Sequence, residues 1–261
     1  GTLSKTQISD KLRRAACAFV RETMQHDLAE RLYQNGISKE KFKVNVDITP
    51  VTTTDPEVIN INYDSVLSVS IDGMDGNQYI LPKVKVEVSG RSMNEPVSEI
   101  ALDSMIDRVY PKAPFAEQKF MVRAVLPQRT FLEKLFLLHE EFAKPRDLIR
   151  VERMSRHMYD IGQMLKTPIA ERAINDADLY RQVIEHRRRF IGLRGFDYDT
   201  LYPATLNIVP PASVIEQWKT DYENMRLHMI YGESVSFEEL INSLKDLNSK
   251  IGENARVNFN E

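Results

Sequence analysis

Residues 127–165 read PQRTFLEKLFLLHEEFAKPRDLIRVERMSRHMYDIGQML, and their pattern decides what the rest of the chain has to be. Two helices joined by a basic, proline-containing connection account for it. Thr130 and Glu133 stand at capping-box spacing, so the first helix is expected to start there, with Phe131, Leu135, Leu138 and Phe142 as its apolar stripe. Lys134 falls beside that stripe: its stem can lie on apolar surface, but its ammonium has to meet an anion or water. In the second helix Met154, Met158, Ile161 and Leu165 form the stripe, and Arg153, Arg156, His157 and Asp160 crowd its flank. A basic flank holding one acid points to a site. The same residues also suit plain surface pairing, Lys134 with Glu133 or Glu141 and Arg156 with Asp160.

Upstream, Ile8, Leu12, Ala16, Phe19, Met24, Leu28 and Leu32 recur at helical spacing, and Asn35-Gly36 supplies a C-cap. Bases and acids interleave on the other face, as on a solvated helix. Residues 41–49 alternate strictly, with Phe42, Val44, Val46 and Ile48 on one side and Lys43, Asn45 and Asp47 on the other. Further strands are predicted over 58–63 and 79–89, with a short alternating run between them in 66–76. The strand over 79–89 puts Val84, Val86 and Val88 on one face and Lys83, Lys85, Glu87 and Ser89 on the other, with Gly90-Arg91 ending it. Glu87 then has two readings, a strand carboxylate for a metal ion or an ion pair with a lysine of the same polar face; Asp47 is the weaker alternative for such a carboxylate. Residues 96–118 are expected to form a helix and loop with Ile100, Leu102, Met105 and Ile106 in the core, and 120–126 a last strand feeding Pro127.

Beyond Leu165 the pattern is helical. Asp176 and Asp178 open a helix as first-turn acids favoured by its dipole, and the helix finishes in Arg187, Arg188, Arg189 and Phe190. Three arginines before an aromatic can grip the phosphates and stack on the bases of a nucleic acid, and they equally suit a helix C-terminus. The segment GFDYDTLYPATLNIVPP is expected to be an ordered connection docked through Phe196, Tyr198 and Tyr202. Ser236 and Glu239 mark the start of the last helix.

The chain has 261 residues, 42% hydrophobic and 28% charged, enough for one large or two modest cores, and a formal net charge of −3 that neither favours nor excludes nucleic acid. A single cysteine, Cys17, inside an apolar helical pattern fits a reducing compartment and a core thiol. No apolar run reaches membrane-spanning length and no signal peptide is recognisable, so the expected location is cytoplasmic.

The blocks RTFLEKLFLLHEEF and SRHMYDIGQML resemble the C-terminal motifs of the AbiEii/AbiGii toxin family, nucleotidyltransferase-like proteins of bacterial abortive-infection and toxin–antitoxin systems. KVKVEVSGRS, ALDSMIDRVYP, DLYRQVIEHRRRF, DYENMRLHMIYG and SFEELINSL resemble the family in the same order, so the likeness covers most of the chain from Lys11 onward. The resemblance implies transfer of a nucleotide from an NTP, with Mg²⁺, to a hydroxyl of RNA or protein, and an antitoxin as partner. It places the catalytic residues at Glu87, which would also be a metal ligand, Lys134 and Asp160. By their own charge and position Arg91, Arg153 and Arg156 are candidate nucleotide or phosphate binders, Arg91 equally a cap of its strand and Arg156 equally the partner that keeps Asp160 ionised, and Arg187, Arg188 and Arg189 are candidate nucleic-acid contacts. A family member would also carry a GGT-type glycine-rich motif and then a DxD acid pair. This chain has no GG dipeptide, and its aspartate pairs of that form, Asp176 with Asp178 and Asp197 with Asp199, stand far downstream of the expected place. Gly1 is therefore read as a processing remnant, the chain as starting after those motifs, and the protein as inactive by itself.

The expected fold is α+β, a partial nucleotidyltransferase-like sheet with helices in residues 1–126 followed by a C-terminal helical bundle in 127–261 that closes a continuous nucleotide cleft. A noncatalytic protein- or RNA-binding scaffold is the alternative, in which Glu87, Lys134 and Asp160 would be scattered.

Overall fold

The computed structural model describes residues 4–47, 50, 55–64, 81–90, 93 and 96–258. The architecture is α+β, with small antiparallel sheets and a majority of helix. The chain forms two compact units: Gly1–Ser92 with Arg188–Gly192 and Asn224–Ser234, and Met93–Arg187 with Leu193–Glu223 and Val235–Glu261. The strands over 97–125 thus fall in the same unit as the helices that follow them.

In the first unit, helix α1 (Lys5–Ala18) continues through a π turn (Phe19–Met24) into α2 (Gln25–Gln34). A Ser4–Gln7 capping box starts it. The expected stripe jumps five residues from Phe19 to Met24, more than an α-turn holds, and the π turn absorbs the extra residue. Val20 takes the inward place beside Cys17, and Phe19 is left exposed, contrary to expectation.

Strands β1 (Phe42–Val46), β2 (Glu57–Tyr63) and β3 (Lys83–Val88) form an antiparallel sheet with β2 in the middle. Val46 and Val86 stand opposite Ile59, and Val44 and Val84 opposite Ile61, which makes one apolar face. Glu57 lies on that face and is buried. It accepts hydrogen bonds from the Cys17 thiol at 3.0 Å and from Arg21 Nε at 2.6 Å, tying the helix to the sheet. Burial and the adjoining carboxylate push the Cys17 thiol up, so it is an inert core group. The expected run in 66–76, Ile48 and Arg91 lie outside the described residues.

The second unit begins with a hairpin. Residues 97–102 form strand β4 (Val97–Leu102), not the expected helix, and pair antiparallel with β5 (Phe120–Val125); α3 (Met105–Val109) lies between them. The cross-strand neighbours explain the difference: Glu99 faces Arg123, Ile100 faces Val122 and Leu102 faces Phe120, pairings that outweigh the helical bias of Ser98, Glu99 and Ala101. Ile100, Leu102, Met105 and Ile106 are exposed rather than core, Met105 by 82%.

Helix α4 (Pro127–Phe142) begins at Pro127, three residues before the expected start, because proline at the first helical position has no N–H to satisfy. Thr130 is therefore interior to the helix, and Glu133 bonds Arg129 instead of capping. Phe131, Leu132, Leu135, Phe136 and Leu138 are fully buried, a wider stripe than the pattern promised. Around α4 stand α5 (Ser155–Met164), α6 (Ile169–Asn175) and α7 (Ala177–His186), and α9 (Phe237–Asn258) packs on α5 and α6. Tyr180 meets Phe136 edge-on at 5.0 Å and donates to the Leu201 carbonyl at 2.8 Å. The connection over 193–214 is ordered as expected, with Tyr198, Leu201, Leu206 and Ile208 buried. Ser236 and Glu239 bond each other's backbone amides at the start of α9, as their spacing requires. Among the described residues no helix is long and apolar enough to cross a membrane.

Glu57 is the polar residue on which the first unit's packing turns. Glu57→Gln is expected to lower stability by about 2 kcal/mol, read by urea unfolding, and to speed alkylation of Cys17. Unchanged values for both would show that the Cys17–Glu57–Arg21 link contributes nothing.

Candidate functional site

Helix α4 and the first two turns of α5 bring Lys134, His157 and Asp160 together. Lys134 Nζ lies 2.7 Å from Asp160 Oδ2 and 3.5 Å from His157 Nδ1. The lysine stem is mostly covered and its side chain is 20% exposed, against 41% for the aspartate, so the pair stands where solvent or a ligand can reach it. Lys134 has therefore found its anion on α5 and not in Glu133 or Glu141. Arg156 is exposed and paired with no carboxylate among the described residues, since Asp160 is engaged by Lys134.

Burial first, then the charges of Lys134 and Arg156, drives His157 down to about 4, with Asp160 opposing. The imidazole is neutral near pH 7, and Nδ1, facing an ammonium, acts as acceptor. His139, which the sequence leaves isolated, is buried and structural: Nδ1 accepts from the Asn207 N–H at 2.8 Å, and Nε2 bonds Thr200 Oγ1 at 3.0 Å. Burial lowers its affinity for a proton, which keeps it neutral as this clamp requires.

The connection between α4 and α5 is pinned at both ends. Glu141, buried, accepts from the Arg150 N–H at 2.7 Å, from the Arg150 guanidinium at 2.7 and 2.9 Å and from Lys144 Nζ at 2.8 Å. Burial pushes its carboxyl up, but Arg150 and Lys144 more than offset that and hold it below the usual range. At the other end Asp221, on α8 (Ile215–His228), accepts from the Arg153 N–H at 2.6 Å, the Ser155 N–H at 2.9 Å and Ser155 Oγ at 2.5 Å. Arg153 is held at φ 58°, the left-handed region that costs a residue with a side chain about 1–2 kcal/mol.

The other expected site residues have partners of their own. Glu87 sits on the polar face of β3 in the first unit, bonded to Lys85 at 2.5 Å, whereas Lys134 and Asp160 belong to the second. Its partner is the lysine two residues earlier on the same strand. Asp47 accepts from Asn60 Nδ2 at 2.8 Å. Arg187 is buried, and its guanidinium makes a bidentate pair with Glu140 at 2.6 and 2.7 Å, so it faces the protein and is not placed to touch a nucleic acid. Arg189 is exposed and lies over the Phe190 ring at 5.3 Å. Asp176 caps α7 through the Leu179 N–H, Asp178 pairs with Arg181, and Asp197 caps the turn at Asp199. Among the described residues no three His, Cys, Asp or Glu side chains converge on one point.

The sequence reading missed Asp221, Glu57, Glu140 and Arg129, all buried. For Asp221 a signal existed: Met154, the residue before α5, cannot cap a helix with its side chain, so a cap had to come from elsewhere.

The family model of the AbiEii nucleotidyl transferase toxin, of a type IV toxin–antitoxin system, matches residues 5–243. The chain belongs to the AbiEii nucleotidyl transferase toxin family. No curated protein and no solved structure matches it. The AbiEii match spans both units, the α4–α5 cluster included.

The depressed His157 sets a sign for pH. The unfolded chain takes up a proton near 6.5 and the folded one only near 4, so stability rises with pH across that window and is lost as pH falls through it. His157→Gln is expected to remove about 1–2 kcal/mol of this dependence, measured by urea unfolding at pH 4 and pH 7. An identical pH dependence in both proteins would place the ring in water.

Proposed function

We propose that the α4–α5 cluster is the phosphate-binding and proton-accepting part of a nucleotidyltransferase toxin acting on an NTP. The observation that carries this is the placement of Lys134 against Asp160, with neutral His157 and exposed Arg156 alongside. In nucleotidyl transfer an acceptor hydroxyl oxygen attacks the α-phosphorus, the bond from that phosphorus to the bridging oxygen breaks, and pyrophosphate leaves with the electron pair. Asp160 takes the hydroxyl proton. Lys134 and Arg156 neutralise charge on the departing phosphates, Lys134 as a compact point charge and Arg156 through its planar fork. Arg153, at the mouth of α5, adds a further cation. A neutral His157 adds no positive charge beside Lys134 and accepts one of its protons, leaving the others for a carboxylate or phosphate.

Without ligand, Asp160 stands where a phosphate oxygen would. The pair is partly hydrated and worth about 1 kcal/mol or less, so a polyanion can displace the carboxylate. The acceptor is a hydroxyl of RNA or protein, and the partner a separately encoded antitoxin. The Mg²⁺ of the reaction would be held by one or two carboxylates together with the substrate phosphates, and would neutralise charge on them. By itself the chain is expected to bind triphosphate without turning it over.

Calorimetric titration with inorganic tripolyphosphate tests this. Lys134→Ala is expected to weaken binding about tenfold or more, and Asp160→Asn to strengthen it a few-fold by removing the competing anion. Equal affinities in wild type and Lys134→Ala would refute the phosphate role. Label transfer from an NTP by the chain alone would refute the expected inactivity.

A further inference from the structure

We propose that Asp221 is a positioning residue for the site: its carboxylate serves as the missing N-cap of α5 and thereby fixes where His157 stands relative to Lys134 and Asp160. This rests on the α4–α5 reading above. The residue is buried and lies 66 positions from Ser155.

Three observations on the α5 start carry it. The helix has no side-chain cap of its own, since Met154 occupies the capping position. Both Asp221 oxygens are spent there, Oδ1 on the Arg153 N–H and Oδ2 on the Ser155 N–H and hydroxyl. Arg153 adopts its left-handed backbone next to that carboxylate, a conformation it would leave if the bond at 2.6 Å were lost. A carboxylate at this end also meets the positive pole of the helix.

The consequence reaches the site because the distance is short. His157 and Asp160 follow Ser155 by two and five residues, so Asp160 is only about 7–8 Å along the axis from the cap. On its inner side α5 is held by buried Met158 and Ile161. At Gly162 it rests so near α9 that an added Cβ would lie 2.8 Å from Leu240 Cδ1. Packing thus locates the middle of α5. Its first turn, which bears His157, is located by Asp221.

The test uses the whole chain and Asp221→Asn, following the His157 imidazole by NMR titration. The groups that act on that ring are Lys134, Arg156, Asp160 and Arg150. Release of the first turn is expected to let the ring into water and raise its titration point by about one unit or more. Loss of the Asp221 charge alone would lower it, so the sign separates repositioning from direct electrostatics. Tripolyphosphate affinity is expected to fall about tenfold. Adding Arg153→Gly, which makes the left-handed turn costless, should return the His157 titration toward its wild-type value. A His157 titration that is unmoved or lowered in folded Asp221→Asn overturns the proposal. Should that variant not fold, Ser155→Ala removes one bond only, and an unmoved His157 there overturns it equally. A wild-type chain that does not bind tripolyphosphate refutes the phosphate reading instead, and leaves the His157 test of Asp221 standing.

Discussion

Helix α4 is buried on nearly every side yet carries ionisable groups along its length, and the second unit is arranged to answer them. Arg129 is matched within the helix by Glu133, Lys134 by Asp160 on α5, His139 by the connection at Thr200 and Asn207, Glu140 by Arg187 at the end of α7, and Glu141 by Arg150. Each partner comes from a different place in the chain. An unmatched buried charge costs several kcal/mol, so a rival packing that moved any one of these segments would be penalised. Hydrophobic burial makes the bundle stable, and the ion pairs choose which bundle it is.

These pairs differ in how far water reaches them. Glu140 and Arg187 are 6% and 11% exposed in their side chains, and separating them would strand two charges. Lys134 and Asp160 are wetter and held by a single close contact, so exchanging one anion for another costs little there. Exposure, not distance, distinguishes them: the two contacts are 2.6 and 2.7 Å long.

Much of this was legible. The apolar period fixed α4, α5 and α9, and strict alternation fixed β1 and β3; the flanks of α4 and α5 showed that Lys134 needs an anion, but not that Asp160 is the one it meets. What escaped were residues whose role depends on a partner distant in sequence. Glu57 opens a strand after a masking Asp-Pro turn, and nothing local says that it will meet Cys17 and Arg21 forty and thirty-six residues back. Val97 to Leu102 read as helix through Ile100, Leu102, Met105 and Ile106, and only the strand at Phe120 shows otherwise. Glu87 was ambiguous between ion pair and metal ligand, and the structure describes the ion pair.

The Glu140–Arg187 pair also bears on how a genetic screen of this member of the family would look. A run of three arginines invites replacement as a block, and loss of toxicity would be scored as loss of a nucleic-acid contact. Because the first arginine is a tenon seated in α4 while Arg189 lies outside, such a block change mixes a folding defect with a surface one. Only single replacements, compared at equal protein abundance, would tell the two apart.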